Sequence, residues 1–510
     1  MDSTITYGHI EVMPYTFIRL HELRIVKTVN DHARMICSGI IAEENRERYI
    51  RASDEETEVK AFVRDKSGKR QALFRGIALN VEEKVVHGVH YLTFEAISHT
   101  YQLDIKRRSR SFQNPRLTYA GLIEQIMSDY PKGEAMDVVT QQKAIGTFIM
   151  QYDETDWQFL KRMASHFYSP LIPAVGYGVP KFYFGMPMGL SKGELQSPYY
   201  KATKRVAAYQ TAADNRIPGI HDTDFIQYEI QSEKLLEPGY EVTFKGQLLL
   251  VAEVITEMRD GVLIHTAKLS PRSGLRPIKD YNRSIIGASI QAIVLSVRQD
   301  QIRAKLDMDD QQDPNTDYWF PYSTIYASAD NTGWYCMPEE GDSIRIYFPS
   351  YKEEEGYAIS SVKRQAQPPA ARPPSSASGV ASVSSSRASS GAAPSRAAAA
   401  PAPSVAAAAP APDRMADPAI KTLRTKYGKE IMLAPDQIVI SGDGMSIVMN
   451  DNSGISIVSG KNVSISAASD IVMNAGNIQL SAETIELSGK GNTVTLNDKT
   501  IISGTEIKMN

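Results

Sequence analysis

The sequence predicts a mainly β protein with a few helices, organised in four successive parts. Apolar and polar residues alternate with period two over the first half of the chain, as in half-buried strands. Five short strand-like runs separated by turn residues follow, and a short apolar repeat fills the C-terminal end. A run of Ala, Pro and Ser separates these last two parts. A length of 510 residues is compatible with three or four domains.

Residues 1–284 are predicted to form a pair of β domains with a few helices. The period-two pattern of half-buried strands is clearest at residues 17–26, 58–64 and 90–97. Apolar residues spaced three to four apart predict one helix at 117–127.

A second helix is predicted at 154–167. Asp153 or Thr155 can cap its first turn, because both side chains can accept hydrogen bonds from free backbone N–H groups. Its apolar stripe, which we expect to pack in a core, consists of Trp157, Leu160, Met163 and Phe167.

Residues 285–364 are predicted to form a small all-β unit. The strand count is that of an oligonucleotide/oligosaccharide-binding (OB) barrel. Trp334, Tyr335 and Tyr347 could stack on bases or sugars, but the absence of a basic groove favours packing within the barrel. The five predicted strands are 290–297, 302–308, 318–322, 342–348 and 356–360.

Residues 365–417 consist almost wholly of Ala, Pro and Ser. Repeated prolines prevent a continuous helix, and no apolar pattern is present to be buried. We interpret the segment as a disordered or polyproline-like flexible linker, which as a coil of this length would span roughly 40 Å.

Residues 418–510 repeat every seven to nine positions, each unit placing two apolar residues at i and i+2. Alternate residues of a strand face opposite sides, so these pairs share one inward face. The predicted inward residues are Ile438, Ile440, Ile447, Met449, Ile455, Ile457, Val463, Ile465, Ile471, Met473, Ile478, Leu480, Ile485, Leu487, Val494 and Leu496.

Three arrangements of these strands are compatible with the repeat. One chain could coil into a short solenoid, or three chains could wind into a triangular β-helical prism, which we favour. The third possibility is an ordinary antiparallel sheet of short hairpins. Few long apolar residues on the polar side are available to cover a second sheet, which weighs against the third.

Composition excludes several function classes. A net charge of -3 indicates no nucleic-acid partner, and the isolated basic run 106–110 is interpreted as a solvated loop or strand end. Cys37 and Cys336 are too few for a disulfide scaffold. No secretory signal, membrane-spanning run, metal-ligand cluster, cofactor motif or catalytic carboxylate pair is evident, so we expect a non-enzymatic protein made in the cytoplasm.

Two motifs resemble those of a known family. Glu154-Thr-Asp-Trp-Gln-Phe-Leu-Lys-Arg162 is similar to the Glu-Thr-Asp-x-x-Phe-Leu-x-Arg signature of VgrG spike proteins and of the phage late-control D hub family. Trp334, followed by Pro338, Gly341 and Asp342, resembles the collar of those spikes. The signature residues are Glu154, Thr155, Asp156, Phe159, Leu160 and Arg162.

The resemblance implies a trimeric spike with three working parts. Residues 1–284 would be a hub of tandem β-barrels, 285–364 an OB collar, and 418–510 a triangular trimeric β-helical needle; we call these the hub, collar and needle regions. The implied partners are a tube and baseplate at the hub, a PAAR-like tip protein or effector at the needle end, and, transiently, a target membrane. Tip contact is expected at Lys508, Met509 and Asn510.

The implied function is that of a central spike in type VI secretion, in an extracellular phage-tail-like particle or in a phage tail. Such a spike would be built into the injection particle. A trimeric surface fibre or polysaccharide-binding adhesin is the alternative, although it would need an export route. A polysaccharide-degrading β-helix enzyme comes third, because it requires an acidic cleft on a longer solenoid.

Overall fold

A computed structural model of the chain describes residues 5–64, 70–310, 318–325, 333–359, 417–490 and 492–496. Within these ranges the chain is mainly β with a few helices, so the predicted fold class is confirmed. The chain divides into two compact units. One contains the residues up to 426 together with 432–435, and the other contains 427–431 and the residues from 436 onward.

The hub region supplies seventeen strands and four α-helices among its described residues. The strands are β1 (Ile10–Met13), β2 (Arg19–Thr28), β3 (Arg34–Ile40), β4 (Glu58–Arg64), β5 (Arg70–Val86), β6 (Val89–Ser98), β7 (Arg107–Phe112), β8 (Glu134–Asp137), β9 (Ile149–Thr155), β10 (Leu171–Pro173), β11 (Lys181–Phe184), β12 (Ser191–Glu194), β13 (Tyr200–Lys204), β14 (Ile226–Ser232), β15 (Glu241–Phe244), β16 (Gln247–Arg259) and β17 (Val262–Ser270). The helices are α1 (Arg48–Ala52), α2 (Tyr119–Met127), α3 (Asp156–Ser165) and α4 (Val206–Asp214).

Twelve of these strands form one continuous sheet. Its order is β1-β4-β5-β6-β3-β2-β16-β17-β14-β13, with β15 paired to β16 and β12 paired to β15. The first six strands pack around Leu23, Met35 and Phe94, and the later strands pack around Val242 and Leu269. Since β2 and β16 pair directly, the two predicted β domains are two lobes of one sheet, each with its own core.

In the sequence, helices α2 and α3 and the strands of two small sheets come between the strands of the first lobe and those of the second. These sheets pair β7 with β9 and place β11 between β10 and β8. Trp157, Leu160 and Met163 of the predicted stripe are buried in one core, and Phe167 is partly buried against it. The helix begins at Asp156 with Thr155 as its N-cap, so the second of the two predicted caps is the one found.

The collar region contains β18 (Ser289–Arg298), β19 (Gln301–Leu306), β20 (Phe320–Pro321), β21 (Gly333–Tyr335), β22 (Ser343–Tyr347) and β23 (Tyr357–Ile359). All except β21 form one sheet in the order β20-β19-β18-β22-β23, and all five overlap the predicted strands. A parallel bridge between Tyr322 and Ala358 joins the two ends. The sheet is thereby closed, as the predicted small five-stranded barrel requires.

A hub residue completes the core of the collar sheet. Phe148, immediately before β9, is fully buried among collar residues. Its ring centroid lies 5.1 Å from that of Phe320 and 5.8 Å from that of Phe348. Because interiors are closely packed, this shared core ties the collar region to β9.

Strand β21 pairs antiparallel with β24 (Lys421–Arg424), placing Trp334 opposite Leu423. The predicted linker lies almost entirely outside the described residues, but β23 before it and β24 after it belong to the same compact unit. The chain therefore leaves the collar region and returns to it before the apolar repeat begins.

The remaining strands are β25 (Glu430–Ala434), β26 (Gln437–Gly442), β27 (Met445–Asn450), β28 (Gly454–Ser459), β29 (Ile485–Gly489) and β30 (Asn492–Leu496). Strands β26, β27 and β28 form an antiparallel meander. A two-residue turn joins β26 to β27, and both Asp443 and Gly444 have positive φ, 49° and 74°. This Asp-Gly turn is the type I′ signal for a hairpin, which explains the reversal of the chain.

The single chain therefore adopts the third arrangement, the antiparallel hairpins, over residues 437–459. The three-chain prism stays a prediction, because the structure describes one chain. Strands predicted at 463–465, 471–473 and 478–480 have no paired neighbour in the described part of the chain. A strand needs a neighbour for its backbone N–H and C=O groups, so these segments lack the partner that other chains would supply in the prism.

Candidate assembly site

Thr155, the second residue of the hub signature, makes hydrogen bonds in two directions. Thr155 Oγ1 accepts a hydrogen bond from the backbone N–H of Gln158 at 3.1 Å, and Oε1 of Gln158 accepts one from the backbone N–H of Thr155 at 3.2 Å. The Thr155 hydroxyl also donates to Asp104. Burial alone would raise the pKa of Asp104, but hydrogen bonds from His32 and Thr155 lower it. The start of α3 is thus fixed by a capping box and by a neighbouring carboxylate.

The signature ends with a buried arginine. The side chain of Arg162 is 2% exposed, and its Nε and Nη2 atoms donate to the two oxygens of Glu154 at 2.9 and 2.8 Å. Nη2 also donates to the Met150 carbonyl at 2.8 Å. The pair is bidentate, the strongest geometry for such a contact. Phe159 and Leu160 between these charges are fully buried.

The central aspartate of the signature is fully buried and held by several donors. Asp156 accepts hydrogen bonds from Arg110 at 2.6 Å, from the Tyr130 hydroxyl at 2.6 Å and from Gln151 at 3.0 Å. Burial and then the hydrogen bond to Asp156 raise the pKa of Tyr130. Arg108 adds a second cation at 3.3 Å. The basic run lies at the start of β7, as the strand-end interpretation expects. Its description as solvated is wrong for Arg108 and Arg110, because they neutralise a buried carboxylate.

Sequence reasoning missed a collar residue that joins this network. Glu353 lies in a short turn before β23 and is largely buried, and its Oε1 is 3.0 Å from Nη1 of Arg162. Burial raises the pKa of Glu353 to about 7; Arg162 opposes the rise and Glu154 adds to it. We call Arg162, Glu154 and Glu353 the acid cluster. No spacing in the sequence could have identified Glu353, because 191 positions separate it from Arg162.

The collar motif separates into a turn and an exposed aromatic residue. Gly341 has a φ of +89°, and Asp342 accepts a hydrogen bond from the Glu339 backbone at 2.9 Å, so residues 338–342 form a tight turn into β22. Trp334, by contrast, is 46% exposed on β21. The prediction that Trp334 packs inside the barrel is therefore wrong, since β21 lies outside the five-stranded sheet. The neighbouring Tyr335 is buried in the core of the collar region.

The meander of β26, β27 and β28 carries an exposed apolar face. In the register, Ile438 is opposite Met449 and Ile440 opposite Ile447, while β28 adds Ile457 opposite Ile447 and Ile455 opposite Met449. Side chains directly opposite each other share a face of the sheet. We call these six side chains the strand face; each is between 36 and 72% exposed in the single chain. The face consists of Ile438, Ile440, Ile447, Met449, Ile455 and Ile457.

The other predicted inward residues divide into two groups. In β29 and β30, the register places Ile485 opposite Leu496 and Leu487 opposite Val494. Lys508, Met509 and Asn510 lie outside the described residues. Six of the predicted inward residues are more than half exposed and lie outside paired strands: Val463, Ile465, Ile471, Met473, Ile478 and Leu480.

The described residues contain neither a metal-ligand cluster nor a helix suited to span a membrane. No group of three or more His, Cys, Asp and Glu side chains is placed to hold a metal ion within those residues. Among the helices of the same residues, none has the length and apolar character needed to cross a membrane.

Comparison with known proteins gives similarity at the level of structure. No family model and no curated protein sequence matches the chain. The fold is similar to that of the E. coli c3393 protein, described as a type VI secretion component with similarity to the T4 bacteriophage tail proteins gp27 and gp5. The identity is 15%, covering 69% of this chain and 99% of that chain, with a TM-score of 0.49.

Two further solved structures are similar over much of the chain. The PdpA-VgrG complex in its lidless form shares 10% identity over 86% of this chain and 93% of that chain, with a TM-score of 0.46. The 43 kDa tail protein of prophage MuSo2 from Shewanella oneidensis shares 10% identity over 55% and 100%, with a TM-score of 0.40. At these identities and TM-scores the similarities carry no functional conclusion by themselves.

Proposed function

We propose that the chain is the structural central spike of a contractile injection machine. It acts as a homotrimer that joins a tube and baseplate to a membrane-piercing needle. The observation that carries this proposal is the strand face, where six apolar side chains align on three strands and remain exposed in a single chain. A continuous apolar face of this kind is characteristic of a surface that another chain covers.

Two further copies of the chain are the cover that best fits the repeat. The predicted inward residues continue beyond the strand face into segments whose backbone has no strand neighbour within the described residues. In a three-chain prism, neighbouring chains supply both the missing strand partners and the apolar cover. The same association therefore satisfies the backbone and the side chains.

The hub and collar regions support a mechanical role. Phe148 inserts into the collar core, and the acid cluster links α3 to the turn at Glu353. These contacts oppose relative movement of the two regions, as required of a part that transmits thrust. The signature residues of α3 hold structure together in buried ion pairs and are not arranged around a reactive group.

The remaining partners follow from this role. Tube and baseplate proteins would contact the hub region, and a PAAR-like tip protein or effector would bind at the needle end, around Lys508, Met509 and Asn510. The protein would be made in the cytoplasm and assembled into the injection particle. Contact with the target membrane would be transient, during firing.

A matched pair of substitutions tests the trimer. Ile457 and Ser456 are neighbours on β28, both exposed in the single chain but on opposite faces of the sheet. Ile457→Asp should abolish the trimer, because three buried carboxylates would each cost several kcal/mol. Ser456→Asp should leave it intact. The measurement is the mass of the purified full chain by light scattering.

The wild-type protein should have three times the chain mass, and Ile457→Asp one chain mass. A monomeric wild-type protein would overturn the proposal. A trimeric Ile457→Asp protein would also contradict it, because the strand face would then have no role in association.

A further inference from the structure

The acid cluster lies where the collar region meets the hub region. Arg162 and Glu154 belong to α3 and β9, whereas Glu353 belongs to the turn between β22 and β23. The side chains of Arg162, Glu154 and Glu353 are 2, 13 and 9% exposed. We propose that this cluster is a proton-sensitive contact, which holds the collar region to the hub region more tightly when Glu353 is protonated than when it is ionised.

The charge balance of the cluster is the first reason. One guanidinium faces two carboxylates, and Glu154 already takes two of its N–H donors in a bidentate pair. An ionised Glu353 would leave the cluster with one uncompensated negative charge in a buried place, which is unfavourable. A proton on Glu353 removes that charge without disturbing the Arg162–Glu154 pair.

Apart from Arg162, the group that favours the ionised form of Glu353 is the Met150 backbone, which makes a hydrogen bond to its carboxylate. The charged and titratable groups nearby add little further compensation. From α2, the buried phenol of Tyr119 faces the cluster, and burial followed by the charge of Glu353 raises its pKa. At the C-terminal end of α3, burial lowers the pKa of His166, and the charge of Arg162 also lowers it. The His166 ring makes a hydrogen bond to the Asp280 carbonyl at 3.0 Å. From the turn itself, Lys352 pairs with Glu355 at 3.1 Å. Arg162 remains the principal cation facing Glu353.

A second carboxylate at the same junction has the same dependence. Asp309 of the collar region accepts hydrogen bonds from the backbone N–H and the hydroxyl of Ser111 on β7, at 2.7 and 2.6 Å. Burial raises its pKa, and the two Ser111 hydrogen bonds oppose the rise. Ionisation of Glu353 and ionisation of Asp309 therefore both weaken the contact between the collar region and the hub region.

The sign and size of the effect follow from Glu353. A carboxyl whose pKa is near 7 in the closed contact, but returns to its ordinary value of 4.5 on opening, binds its proton more tightly when closed. The contact is then strongest at low pH and weakens as pH rises through 7. Between pH 6 and pH 8 the closed-to-open ratio should fall about tenfold, and above pH 8 it should level off.

Hydrogen exchange of the full chain measures this ratio directly. Protection of the backbone amides in 352–359 and 149–155, corrected for the intrinsic pH dependence of exchange, should fall about tenfold from pH 6 to pH 8 in the wild-type protein. Glu353→Gln should remove most of that slope. Glu354→Gln, an exposed neighbour in the same turn, should keep the wild-type slope.

The slope decides the outcome, because Glu353→Gln also changes the absolute protection. Wild-type protection that stays constant from pH 6 to pH 8 would overturn the proposal, whatever the variants do. A Glu353→Gln protein with an undiminished slope would overturn it as well, since another group would then be the one that titrates. Neither result depends on whether the chain is trimeric.

Discussion

Replacing Arg162 by methionine should be among the most destabilising single changes in the hub region. Methionine fills much of the volume but removes the only charge that neutralises Glu154 and Glu353 within the acid cluster. Removing one partner of a buried ion pair typically costs about 3–5 kcal/mol. The Met150 carbonyl also loses a donor at 2.8 Å, worth about 1 kcal/mol. We therefore expect a loss of about 4–6 kcal/mol near pH 7.5.

The assay is urea unfolding followed by circular dichroism at pH 7.5 and pH 5. Burial raises the pKa of Glu353 to about 7, so at pH 5 this carboxyl is protonated and no longer needs Arg162; the loss should therefore shrink by at least about 1 kcal/mol. The triple variant Arg162→Met, Glu154→Gln, Glu353→Gln should recover part of the loss, because no buried charge remains. Lys161→Met, on the same turn, should change stability by less than about 0.5 kcal/mol. A loss under about 1 kcal/mol for Arg162→Met, or one independent of pH, would refute the reasoning.

Three further outcomes are expected. Burial, followed by the charge of Lys27, lowers the pKa of His265 to about 4. As the pH falls from 6.5 to 4, the unfolded chain therefore binds a proton at this residue before the folded chain does. This should remove up to about 3 kcal/mol of stability. His265→Gln should flatten that acid limb in unfolding experiments. Thr155→Ala should cost about 1 kcal/mol by loss of the cap, while Thr155→Ser should cost little. Replacing residues 365–416 with a short Gly/Ser linker should leave the number of chains per particle and the melting temperature unchanged, since β23 and β24 belong to one compact unit. Loss of assembly would contradict this.

Much of the fold could be predicted because local patterns govern it. Period-two alternation located the collar strands, and the three-to-four spacing located α2 and α3. The i and i+2 residues of the repeat do share a face in β26, β27 and β28, because strand geometry alone requires it. Their role as the interior of a trimer remains a prediction.

Other features depended on contacts between distant residues. The run at 106–110 has the composition of a solvated segment, but β7 pairs with β9 and brings Arg108 and Arg110 to the buried Asp156. Trp334 is a large aromatic residue of a type often found in cores. Strand β21 nevertheless pairs with β24 outside the five-stranded sheet, which leaves Trp334 exposed. Single-sequence patterns do not report which strand becomes a neighbour.

The sequence by itself determined the class of the fold, the positions of most strands and helices that were predicted, and the composition of the apolar repeat. These depend on the side-chain periodicity of each segment and on turn residues such as Asp443 and Gly444. Only the tertiary structure decided that the hub lobes share one sheet, that Phe148 completes the collar core and that Glu353 shares Arg162 with Glu154. The physical reason is that burial and the pairing of charges depend on residues far apart in the chain, which packing alone brings together.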